Sequence, residues 1–186
     1  MKTPSIRIVV TVAAALAAGH LQAQTVSATA TLSDVPGTAG VFDYTLTVFN
    51  TGTAPIEGVW YGWLPGGNTL PSDPTAPGSL SAWSPTLSGG NSIMFQGNSS
   101  DAIGAGQSGI FTFDSTSTLA QMTSGTTGPG ATGASVAFAT TIGFTGNSPG
   151  VSAEFTPTAV PEPSTVGLFA LGSAGMLARG WRKLRR

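Results

Sequence analysis

Across residues 24–160 apolar and polar positions alternate with a period of two, the mark of strands buried on one face. Val26, Ala28, Ala30 and Leu32 fall on one side, opposed by Ser27, Thr29, Thr31 and Ser33. Phe42, Tyr44, Leu46 and Val48 are set in the same way against Asp43, Thr45, Thr47 and Phe49. Val136, Phe138, Ile142 and Phe144 predict a third, long apolar face interrupted by Thr140. Shorter strands are expected over residues 57–64, 92–96, 109–114 and 151–155. Breakers separate them: Val35-Pro36-Gly37, Asn50-Thr51-Gly52, Pro65-Gly66-Gly67-Asn68 and Gly89-Gly90-Asn91. Helical periodicity is absent apart from a turn of helix expected over residues 118–122.

Roughly seven or eight short strands with glycine-rich turns predict an all-β fold, a single antiparallel immunoglobulin-like β-sandwich. Its expected span is residues 24–158. The string Tyr44-Thr45-Leu46-Thr47-Val48-Phe49-Asn50-Thr51-Gly52 resembles the strand and Asn-Thr-Gly turn of exported immunoglobulin-like modules. Gly104-Ala105-Gly106-Gln107-Ser108-Gly109-Ile110-Phe111-Thr112-Phe113 resembles the turn and strand that accompany it. Two long loops are expected, over residues 65–80 and 123–133; the second is low in complexity.

The ends of the chain break the pattern. Lys2 and Arg7 precede an apolar stretch over residues 8–18, followed by a short polar segment ending at Ala23. That order predicts a signal peptide over residues 1–23, an N-terminal helix cleaved between Ala23 and Gln24 after export by the Sec machinery. At the other end, Val160-Pro161-Glu162-Pro163-Ser164 leads into an apolar run over residues 165–178 and then a basic end with Arg179, Arg182, Lys183, Arg185 and Arg186. The prolines hold their segment extended, as presentation to an enzyme cleft requires. The run of about 14 residues makes a helix of roughly 21 Å, short of a hydrocarbon core of about 30 Å. Five terminal cations hold that end in the cytoplasm. The segment is a short hydrophobic helix fit to pause a chain in the membrane and ill-suited to anchor it for good.

Residues 159–186 in this order resemble the PEP-CTERM sorting domain. The resemblance implies that Pro161, Glu162 and Pro163 are recognised by an exosortase, a membrane cysteine transpeptidase that removes the tail. The apolar helix and basic end then act as the stop-transfer part. It further implies a Gram-negative, exopolysaccharide-producing host, a transient stay in the inner membrane, and delivery to the cell surface or biofilm matrix.

Composition then narrows the chemistry. All seven Lys and Arg residues lie in the two terminal signals, as does the single histidine, His20, and there is no cysteine. The region between them carries only acidic charge. A hydroxyl nucleophile activated by His or Lys cannot be built there, nor a thiolate. Ordinary zinc, copper and haem sites lack ligands. Without Arg or Lys there is no phosphate clamp and no grip on nucleic acid. No cofactor or metal is expected. A carboxylate pair of the glycosidase type is the one catalytic route left, but the acids are scattered in turn-like contexts, and the expectation is that the chain is not an enzyme. Its expected role is structural, in association with exopolysaccharide.

The alternative is a carbohydrate-binding or adhesive module, for which Trp60, Trp63 and Trp83 are the candidate contacts, since rings stack on sugar C–H faces. Core packing is the competing role for all three. On an uninterrupted strand Trp60 and Trp63 have opposite parity, so the expectation is that they face opposite sides.

Overall fold

The first two strands follow from their alternation. β1 (Ala28–Pro36) and β2 (Phe42–Asn50) pair antiparallel in continuous register, from Ala28 opposite Asn50 to Pro36 opposite Phe42. Leu32, Leu46 and Val48 are fully buried while Thr29, Thr31 and Asp43 face solvent. The chain continues through β3 (Gly58–Tyr61), β4 (Trp63–Leu64), β5 (Gly67–Asn68), β6 (Thr75–Ser79), β7 (Ser84–Leu87), β8 (Ile93–Gln96) and β9 (Ser108–Ser115). One turn of helix, α1 (Leu119–Met122), is capped by Thr118 and Gln121 in a reciprocal capping box. β10 (Ser135–Phe138), β11 (Ser152–Phe155) and β12 (Thr158–Ala159) complete the order. The computed structural model describes residues 24–79, 82–125, 132–144 and 151–160. The expected signal helix and hydrophobic tail helix lie outside them. Among the described residues, no helix is long and apolar enough to cross a membrane.

Among the described residues the strands form two five-stranded sheets and a small hairpin, so the all-β expectation holds. The first sheet has the order β12-β1-β2-β9-β6, the second β11-β10-β3-β8-β7, and β4 pairs with β5. Both contribute to one core. Leu32, Tyr44, Leu46 and Phe111 come from the first sheet, and Val59, Tyr61, Ile93 and Phe95 from the second. Rings bridge the layers: Phe95 meets Phe111 at 4.5 Å and Tyr61 meets Phe113 at 5.1 Å between centroids.

Several details depart from the sequence pattern. The sheets are not wholly antiparallel, because β12 runs parallel to β1, with Thr31 opposite Thr158 and Leu32 opposite Ala159. After β11 the chain leaves the second sheet at Thr156-Pro157 and joins the free edge of β1. The third long face stops at Phe138. The Thr140 hydroxyl accepts from the amide of Ile142 at 3.2 Å, and Gly143 has φ +88°, a local turn that replaces the ladder. Ile142 is consequently 87% exposed. The expected loop over residues 65–80 holds β5 and β6. β6 pairs with β9 across a bulge between Thr75 and Gly78 that accommodates Pro77.

Candidate functional site

Two places stand apart from ordinary core packing: the outer face of the second sheet and the point where the chain leaves the first.

On the second sheet, β10 is buried on both faces. Ala137 belongs to the core between the sheets. Val136 and Phe138 point the other way, in register with Trp60 and Gly58 of β3. Close backbone approach allows this, since a Cβ on Gly58 would stand 2.2 Å from the Phe138 ring. Segment 139–144 folds back over this face. Phe144 lies 5.5 Å from the rings of both Phe138 and Trp63, and Gln96 donates to the Thr141 carbonyl.

Trp60 and Trp63 sit together here, stacked at 4.2 Å with 18° between their planes. This corrects the expectation that they face opposite sides. The strand period is broken between them: Gly62 has φ +69°, its amide is held by the Ser135 hydroxyl at 3.0 Å, and its carbonyl accepts from Thr69 at 2.7 Å. β4 therefore starts on a new course and lays Trp63 back on Trp60. The Trp60 indole donates to Ser92 Oγ at 3.2 Å, and Ser92 donates to Asn68 Oδ1 at 2.9 Å. Both indoles are half-buried. Trp83 is elsewhere, 5% exposed in the core, with its ring edge-on to Phe111 and its indole donating to the Asp101 carbonyl at 2.9 Å. Trp83 offers no face to a ligand, which leaves Trp60 and Trp63 as the surface pair.

Asn50, which reads in the sequence as a turn residue, is fully buried at the end of β2. Its side-chain amide donates to the carbonyls of Ala54 and Ile103, both at 2.8 Å, and its Oδ1 accepts from Gly52 at 2.9 Å. Its backbone exchanges bonds with the second turn: the Asn50 amide donates to Gln107, and Gly106 donates to the Asn50 carbonyl, each at 3.0 Å. The Asn-Thr-Gly and Gly-Ala-Gly-Gln strings thus meet at one residue. Their signal was in the sequence as two separate turns; what joins them is tertiary.

The acids are spread out. Asp43 of β2 and Asp114 of β9 stand opposite one another in register on the first sheet. Among the described residues, no group of three or more His, Cys, Asp or Glu side chains could hold a metal ion. Both tyrosines are inside. Burial pushes the Tyr61 phenol well up, with Tyr44 adding to it, and among the described residues its hydroxyl has no hydrogen-bond partner. Tyr44 is raised by burial and then by Asp34, and it donates to the Ser117 carbonyl at 2.5 Å.

At the other place, β12 ends at Ala159, and the amide of Val160 donates to the Leu32 carbonyl at 2.8 Å. Of the cleavage residues expected at the leader, Gln24 is exposed and Ala23 lies outside the described residues, as do Pro161, Glu162, Pro163 and the basic end. Residues 159–186 match the family described as the PEP-CTERM protein-sorting motif.

The chain carries a PEP-CTERM sorting motif.

The motif marks an exported protein that is processed by exosortase and held transiently at the membrane before it reaches the cell surface. No curated protein matches the chain. Among solved structures, it is similar to the GH20 exo-β-N-acetylglucosaminidase of Vibrio harveyi in complex with N-acetylglucosamine. The TM-score is 0.48 at 12% identity, covering 74% of this chain and 19% of that one. The D437A inactive mutant of the same enzyme gives 0.47 at 14% identity, covering 72% and 18%. The PEP-CTERM chain therefore spans less than a fifth of that enzyme's length, and a likeness this remote bears on no activity.

Proposed function

We propose that this PEP-CTERM chain is a structural component of the cell surface or biofilm matrix of a Gram-negative host, associated with exopolysaccharide, and that it is not an enzyme. In this reading the Sec machinery exports it, the leader is cut between Ala23 and Gln24, and exosortase removes the tail beyond the Pro-Glu-Pro motif. The observation that carries the reading is the junction at Val160, whose amide is bonded to β1 and which is followed directly in sequence by Pro161 of the sorting motif. The absence of His, Cys, Lys and Arg from residues 24–160 supports a non-catalytic role and argues against nucleic-acid binding. The two facing sheets joined by one core are read as an immunoglobulin-like sandwich.

The test is an intact mass of the protein from the host's outer fraction, with and without its exosortase. A species starting near Gln24 and ending between Pro161 and Ser164, lost on exosortase deletion, is expected. A mass that keeps the terminal arginines in both strains would sink the reading.

A second reading, a carbohydrate-binding module, is favoured by one observation: the half-buried Trp60–Trp63 stack on the outer face of the second sheet. With no cation in residues 24–160 to meet an anionic sugar, such binding rests on ring stacking. Trp60→Ala should then abolish retention on purified exopolysaccharide, and unchanged retention would remove this reading.

A further inference from the structure

The sorting motif is joined to the folded sheet without a spacer. Among the described residues, β12 is the edge strand of the first sheet, paired with β1 alone. The Leu32 carbonyl that receives the Val160 amide belongs to a fully buried residue in the middle of β1, so the core fixes its position. Upstream, Thr156 is half-buried and Pro157 is buried. The backbone is therefore engaged with the domain up to the residue before Pro161.

An enzyme acting on an extended peptide grips residues on both sides of the bond it attacks, often by pairing the peptide with a strand of its own. While β12 is docked, the upstream half of that grip is committed to β1. We propose that β12 is the positioning element of the sorting reaction: docked on β1 it withholds the upstream side of the Pro-Glu-Pro motif, and processing proceeds from chains in which β12 has peeled away. The inference rests on the exosortase reading above. A two-residue, parallel strand at a sheet edge is the kind of element that opens locally while the rest of the domain stays folded. Peeling it off frees the Leu32 carbonyl and the edge of β1 but leaves the pairing of β1 with β2 intact.

The chain lends itself to a direct test. It has no cysteine, and Thr31 and Thr158 are register partners whose side chains are both exposed. A T31C/T158C pair therefore locks β12 in place and leaves the core residues unchanged. Tail removal is followed by pulse–chase of the full-length precursor in its host. The oxidised pair should be trimmed more slowly than either single variant by about tenfold, which corresponds to about 1.4 kcal/mol, and reductant should restore the rate. Inserting Gly-Ser-Gly-Ser between Val160 and Pro161 should speed trimming of the wild type and rescue the locked pair, since it supplies free upstream backbone with β12 still docked. An oxidised pair trimmed as fast as the single variants, or an insertion that changes neither rate, would overturn the proposal. The insertion decides the matter alone if the cysteine pair fails to fold. A wild-type tail that persists in cells making exosortase would instead overturn the sorting reading on which it rests.

Discussion

The Asn50 turn and the Trp60–Trp63 face close the molecule in opposite ways. At Asn50, polar groups are fully buried and every side-chain bond goes to backbone: two carbonyls accept from the amide and one amide donates to its oxygen. At the tryptophans, half-buried rings cover a sheet face by stacking, and the Trp60 indole is bonded to Ser92. The first arrangement tolerates one geometry, because each unmet buried group costs desolvation. The second is held by contact area, which yields gradually. The difference predicts a brittle turn and a forgiving face.

The sharpest way to break that contrast is Asn50→Ala. It leaves the carbonyls of Ala54 and Ile103 without their donor and should cost about 3 kcal/mol, read as a lower urea midpoint at unchanged slope. A loss under about 1 kcal/mol would make Asn50 an ordinary turn residue.

Gly62→Ala probes the other side. It places a Cβ at φ +69°, 2.2 Å from Leu70 Cγ, and should cost about 2 kcal/mol. It should also part the stacked indoles, erasing their exciton couplet in circular dichroism. A preserved couplet would mean that something other than Gly62 directs Trp63 onto Trp60.

The tyrosines report on the core between these regions. The chain has only two, both buried and both raised. An unfolded phenol ionises near about pH 10. Above that pH the unfolded chain binds fewer protons than the native one, so the stabilisation is full below about pH 10 and is lost as pH rises toward the native values. Tyr61 alone should contribute a slope of about 1.4 kcal/mol per pH unit in that window. Tyrosinate absorbance should appear together with unfolding; its appearance in a folded protein near about pH 10 would contradict the burial of both rings.

The smallest effect expected is from Asp43→Asn. Asp43 stands opposite Asp114, and like charges across a strand pair repel, so the variant should gain about 0.5 kcal/mol at low salt, less as salt is added.

Much of this architecture was legible in residue order. The alternation of β1 and β2 holds residue by residue, and the capped turn at Thr118 appears where expected. The sorting motif could be read because its information is linear: prolines, an apolar run and cations in sequence. What escaped depends on one backbone angle or on chain segments meeting. Thr75-Ala76-Pro77-Gly78-Ser79 has no alternation, and it becomes β6 because β9 offers it an edge. Period-two counting placed Trp63 across the sheet from Trp60 because it assumes an unbroken strand, and Gly62 breaks it. Asn50 read as a turn former because its partner Ile103 lies 53 residues away.

The outermost strands carry one more consequence. Soluble sheets often protect their edges with lysine, which residues 24–160 lack entirely. Here Pro77 and a bulge interrupt β6, Pro85 lies within β7, Pro157 precedes β12 and Glu154 is exposed on β11. A missing amide in β6 and β7, an outward carboxylate on β11 and the shortness of β12 discourage the strand-to-strand addition that leads to fibrils. The edges of both sheets are thus built against strand addition between copies of the domain.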